Sequence, residues 1–128
     1  MLLDTDVVID VLRQHPSAVR WASTERAQEV ALPGLAVMQL LDGANTKLEA
    51  RQVEQFVTQF RVFWPTVADH ERARAMFSDL KLAHGIDIID MLIAQTAAGL
   101  GAKLATFNTK HFRAVTNLET IQPYERQM

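Results

Sequence analysis

Met1-Leu2-Leu3-Asp4-Thr5-Asp6-Val7-Val8-Ile9-Asp10 opens the chain. Apolar residues run straight into a carboxylate, and a second carboxylate follows two residues later. Leu2-Leu3 reads as a short buried strand with Asp4 at its end. Asp6 to about Gln14 reads as a helix, capped by Thr5 or Asp6. In open α/β sheets, sites form at the carboxyl ends of the strands. An acid delivered there by the first strand points to metal or phosphate chemistry.

The rest of the chain continues the alternation. Pro16-Ser17 restarts a helix that reaches about Arg26, and Glu29-Val30-Ala31-Leu32 is a strand stopped by Pro33-Gly34. A helical pattern covers Leu35 to Ala44. Leu48 to Phe60 is amphipathic, with Val53, Phe56, Val57 and Phe60 on one face. Arg61 to Trp64 reads as a third strand, ended by Pro65. Asp69 to Ala83 reads as a helix with Gly85 just beyond it. Ile89, Leu92, Ile93, Thr96, Ala97 and Leu100 form a helical stripe. Leu104 to Phe107 is a fourth strand and Glu119 to Ile121 a fifth. Short strands alternating with helices predict an α/β fold, a three-layer α/β/α sandwich around a parallel sheet of four to five strands.

Composition narrows the function. At 128 residues the chain is expected to form one domain. Its net charge of −2 gives no overall basic field to announce nucleic acid, although a local patch suffices for binding. The absence of cysteine removes disulfides, zinc–thiolate sites and thiol nucleophiles. No basic leader and no apolar run of about 18 residues is present, so a cytoplasmic protein with no membrane span is expected. Gly99-Leu100-Gly101-Ala102-Lys103 lacks the spacing of a phosphate loop and reads as a helix-to-strand turn. No serine has a nucleophile setting. A receiver domain also uses acids at strand ends, but its acid pair and final lysine block would be arranged differently.

Four places carry oxygen donors that a parallel sheet would bring to one edge. They are Asp4 with Asp6, Gln39 with Asp42, Asp87 with Asp90, and Thr106 with Asn108. Gln39 and Asp42, like Asp87 and Asp90, lie three apart and so share a helix face. A cluster of such oxygens suits Mg²⁺ or Mn²⁺. Each residue also has a structural reading. Asp4 and Asp6 suit helix caps, Asp87 a first-turn acid facing the helix dipole, Asp42 a solvated acid and Asn108 a turn. Asp90 borders the apolar stripe, where a carboxylate is costly unless paired or metal-bound.

These blocks, in this order, resemble the PIN-domain ribonucleases, particularly the toxins of VapBC toxin–antitoxin pairs. The resemblance runs through Leu3 to Ile9, Leu35 to Ala44, Asp90 to Ala97 and Leu104 to Phe112, and so spans essentially the whole chain. It implies that Asp4 and Asp90 are metal-binding acids, that Asn108 holds the fourth position of the site, and that Thr106 lines the same pocket. Asp6 stands where the family has Asn or Asp. Asp87 and Asp42 are auxiliary candidates. The family's glutamate falls at Gln39, which keeps the shape and a carbonyl oxygen but brings no charge.

The resemblance further implies a metal-dependent endoribonuclease toxin in which a metal-activated water attacks a backbone phosphorus. RNA as substrate, a cognate antitoxin as inhibitor and a homodimer follow from it in the same way. The alternative is a PIN domain impaired in cutting by Gln39, which binds RNA or an antitoxin. Arg13, His15, Lys103, Lys110 and Arg113 are candidate phosphate contacts that also read as ordinary surface charge. His111 reads as structural, because the family's chemistry rests on acids and metal.

Overall fold

The computed structural model describes residues 1–24 and 29–126. Five strands, β1 (Leu2–Leu3), β2 (Ala31–Pro33), β3 (Arg61–Phe63), β4 (Leu104–Ala105) and β5 (Thr120–Ile121), form one sheet. Its order is β3-β2-β1-β4-β5 and every pairing is parallel. Leu2 sits in register with Ala31 on one side and Leu104 on the other. The chain leaves β1 toward β2 and β3, then crosses back to β4. The strand order therefore reverses at β1/β4, and the crevice outside the carboxyl ends of those two strands is where such sheets take ligands.

The helices are α1 (Thr5–Leu12), α2 (Pro16–Ala22), α3 (Gly34–Asp42), α4 (Lys47–Val57), α5 (Val67–His84), α6 (Ile88–Leu100) and α7 (Thr109–Phe112). The expected three-layer sandwich holds. By the right-handed rule for parallel crossovers, the β1-to-β3 connections fall on one face and the return to β4 on the other. α1 packs on α2 and α3, α3 on α4, and α5 on α6. Leu2, Leu3, Leu32, Ile93, Leu104 and Phe112 are buried in the shared core. Burying both faces makes the central strands β1, β2 and β4 continuous apolar runs rather than alternating ones.

Several ends differ from the sequence reading. The cap of α1 is Asp4 itself, whose Oδ1 accepts the Thr5 N–H at 2.9 Å. Gln14 adopts φ 57°, just past the end of α1. α2 closes at Ala22, and the expected end at Arg26 lies outside the described residues. β2 is shifted to include Pro33, which a parallel strand tolerates at its last position, where no further N–H is required. α4 ends at Val57, because the Gln59 and Phe60 N–H groups bond three residues back and turn the chain into β3. α5 starts two residues early on a Thr66/Asp69 capping box and ends on Gly85 at φ 70°. α7 is a single turn absent from the reading. Among the described residues no helix is long and apolar enough to cross a membrane.

The C-terminal segment latches onto α1. Tyr124 donates its hydroxyl to Asp10 Oδ2 at 3.0 Å, and Arg126 reaches Asp10 Oδ1 at 2.8 Å. Tyr124 packs edge-on against Phe107, and the Arg126 guanidinium lies 4.7 Å over that ring. Asp10 is buried, so these partners offset its desolvation. Tyr124→Phe is expected to cost about 1–2 kcal/mol. Arg126→Ala should cost about 1 kcal/mol, since its side chain is 42% exposed and partly screened. The double variant should lose more than the sum of the two, because Asp10 is then left alone. Urea unfolding checks this, and a double variant as stable as the parent would refute the latch.

Candidate active site

The reversal point of the sheet brings together residues from both ends of the chain. Asp4 leaves β1 and Thr106 leaves β4. The Thr106 hydroxyl donates to Asp4 Oδ2 at 2.8 Å, across 102 residues of sequence. Thr106 is fully buried, and its Oγ1 also accepts the Asn108 N–H at 3.0 Å. That second bond commits the single hydroxyl proton to Asp4. Both Asp4 oxygens are thus held, Oδ1 by the Thr5 N–H and Oδ2 by Thr106. Each keeps a lone pair for something else.

Asp6 ties the same two strand ends together. Its Oδ2 accepts the Phe107 N–H at 3.1 Å and its Oδ1 the Val7 N–H at 2.7 Å. The Thr5 hydroxyl donates to the Gln39 side-chain oxygen, bringing the second turn of α3 to the rim. From α6, Asp87 caps the helix by accepting the Asp90 N–H at 2.8 Å. The Asp90 carboxylate accepts a hydrogen bond from His111 Nε2 at 2.9 Å. Asn108 is exposed beside this group as the first residue before α7, and its side chain makes no capping hydrogen bond.

Charge is crowded here. The Asp4 carboxyl is pushed above its ordinary range, first by burial and further by Asp90, against the lowering pull of its Thr106 and Thr5 bonds. Asp90 is raised by burial and by Asp87, while the His111 bond opposes this. Burial and neighbouring Asp4 push Asp6 up to about 6. Among the described residues no Lys or Arg forms an ion pair with any of the three.

A carboxyl raised on folding binds more protons in the folded chain than in the unfolded one. The stability it gives is full below the unfolded value of 3.8 and is lost as pH rises through the folded one, about 6 for Asp6. Asp4→Asn removes one charge and relieves Asp6. It should therefore raise the melting temperature at about pH 7.5 by more than it does at about pH 4. A variant that melts no higher than the parent at the upper pH would contradict the crowding.

The sequence-predicted residues divide by position. Asp4, Asp6, Gln39, Asp87, Asp90, Thr106 and Asn108 meet at the carboxyl edge of the sheet, and Lys110 and Arg113 are exposed on and just after α7 at the same edge. Asp42 is exposed at the far end of α3. Arg13 and His15 follow the last turn of α1, which carries them roughly 12 Å of helix away from Asp4. Lys103 precedes β4 at the opposite edge, 3.7 Å from Glu119. The structure thus does not bring Arg13, His15, Lys103 or Asp42 to the cluster. Two residues that the sequence reading left out of the candidate site touch it, Thr5 through Gln39 and His111 through Asp90. His111 lies one helical turn past Asn108, and that spacing is the signal that could have found it.

The donors are hard oxygens with excess negative charge, which fits Mg²⁺ or Mn²⁺. Among the described residues no three acidic or histidine side chains converge closely enough to cage an ion by themselves. That also fits, because Mg²⁺ keeps several waters and is commonly held by one or two carboxylates.

The family model for the PIN domain matches residues 1–118. Ribonuclease VapC10 of Mycobacterium tuberculosis is 33% identical over 114 residues, covering 88% of this chain and 85% of that protein. Ribonuclease VapC19 of the same organism is 32% identical over 124 residues, covering 92% and 96%. Among solved structures, VapBC2 from Rickettsia felis, bound to a promoter DNA fragment, superposes with a TM-score of 0.77 at 20% identity over 94% of this chain and 96% of that one.

Proposed function

The chain belongs to the PIN domain family, and from that premise we propose that it is a metal-dependent endoribonuclease of the VapC toxin type. The observation that carries the reading is the pairing of Asp4 with Thr106 at the β1/β4 reversal, with Asp90 close enough to raise the Asp4 carboxyl. Two relatives about one third identical over most of the chain are named ribonucleases, which supports the same chemistry here.

Asp4 and Asp90 are the residues that would hold the ion, with Asp6, Gln39 and Asn108 at the rim. A bound divalent cation supplies charge to the scissile phosphate and lowers the pKa of water. The chain's own residues do the remainder. Thr106 and the Thr5 N–H fix the Asp4 carboxylate. Asp87 fixes the first turn of α6, on which Asp90 rides. Lys110 and Arg113, free of acidic partners among the described residues, are placed to meet the RNA backbone beside the acids. Solved neighbours named as VapBC complexes support a cognate antitoxin as the protein partner, with a basic side chain drawn to the acidic crevice. A homodimer is part of the same proposal.

The test is incubation of the purified chain with RNA and Mn²⁺, against the same mixture with EDTA. Cleavage that EDTA abolishes supports the enzyme. RNA retained uncut in both mixtures supports the second reading, a binding module, which Gln39 specifically favours by removing a charge from the donor set.

A further inference from the structure

We infer that His111 is a positioning residue that holds the Asp90 carboxylate in its ion-binding orientation. The inference rests on the proposed function and adds to it a residue that the acid-and-metal pattern does not include. The Asp90 main chain is anchored by Asp87, but that bond fixes the helix, not the side chain. Among the described residues, the hydrogen bond that aims the carboxylate is the one from His111 Nε2 to Oδ2, at 2.9 Å and across 21 residues. Both side chains are mostly sheltered, at 18% and 24% exposure, so water competes weakly for the contact.

The imidazole is itself held. The His111 main-chain N–H bonds to the Asn108 carbonyl at 3.0 Å, closing the turn of α7. The next residue, Phe112, is buried at 1% exposure and accepts the Val115 N–H at 3.0 Å. The His111 ring stands edge-on to the Phe112 ring at 5.2 Å. A core anchor thus sets the place of the donor, and the donor sets the carboxylate. With Oδ2 engaged, Oδ1 accepts no hydrogen bond from another side chain among the described residues, which leaves it for the ion. Groups that orient a ligating side chain in this way typically govern metal affinity by roughly 10- to 100-fold.

The experiment measures Mn²⁺ binding by calorimetry without RNA, with three variants and a melting curve for each. His111→Leu removes the donor, and His111→Asn is too short to reach Oδ2. Both should bind Mn²⁺ roughly 10- to 100-fold more weakly. His111→Gln can return an N–H to the Nε2 position and should stay within about threefold of the parent. In the cleavage assay, the Leu and Asn variants should need correspondingly more Mn²⁺ and regain most of the parental rate at saturation. A purely structural role would instead lower the melting temperature and leave Mn²⁺ affinity unmoved. If the Leu variant does not fold, Asn against Gln decides. Parental affinity in the Asn variant, or loss in Gln equal to that in Asn, overturns the inference alone. No Mn²⁺ binding by the parent overturns the proposed function and this inference with it.

Discussion

Asp90→Asn is expected to lower Mn²⁺-dependent RNA cleavage by about 100-fold or more, the scale on which charge-stabilising groups act in active sites. The substitution keeps the size of the side chain and an acceptor oxygen, and it leaves the Asp87 cap of α6 intact. Only the negative charge is lost. Burial and Asp87 already disfavour that charge, so the folded chain should tolerate its removal. Loss of activity and a melting temperature equal to or above the parent's are thus expected in one protein, the pattern of a residue kept for function at some expense of stability. Cells making the parent chain should stop growing, and cells making Asp90→Asn should not. Parental cleavage by the Asp90→Asn protein would remove Asp90 from the chemistry, whatever its position.

The fold was legible because its signals are local and repeated. A short apolar run, a carboxylate and a helix at the very start predict a parallel sheet with a site at its carboxyl edge. The stripe from Ile89 to Leu100 places Asp90 at that edge without any structure. Bonds between residues distant in sequence were not legible. Asp4 meets Thr106 across 102 residues, Asp6 meets the Phe107 N–H across 101, and Asp10 meets Arg126 across 116. No periodicity encodes such pairs. Asp10 in particular reads as one more helix acid, whereas it is buried and held by the C-terminal segment. His111 is a related case, because its bond to Asp90 cannot be read from the sequence. Its turn is only four residues long, too short to produce a hydrophobic period, and its role depends on where Phe112 drops into the core. Arg13 shows the converse. Its charge was legible, but its direction was set by the length of α1.

Gln39→Glu should act in the opposite direction to Asp90→Asn. The Gln39 oxygen accepts the Thr5 hydroxyl, and a glutamate oxygen can accept the same bond, so α1 and α3 should dock as before. The change adds one negative charge next to the first turn of α1, where Asp4 and Asp6 already repel each other. Without metal, the variant should therefore melt lower than the parent at about pH 7.5, and the difference should shrink toward about pH 4 as the carboxyls take up protons. With Mn²⁺ the order should reverse, because the ion neutralises the added charge and tighter binding stabilises the folded chain further, with the logarithm of its affinity. Mn²⁺ affinity is expected to rise by about tenfold, the equivalent of about 1.4 kcal/mol. Cleavage at low Mn²⁺ should rise with it. A lower metal-free melting temperature with unchanged Mn²⁺ affinity would show that Gln39 borders the acids without facing the ion. Cleavage that is absent in the parent and present in Gln39→Glu would identify the natural chain as a binder of RNA or antitoxin whose nuclease chemistry lapsed with one carboxylate.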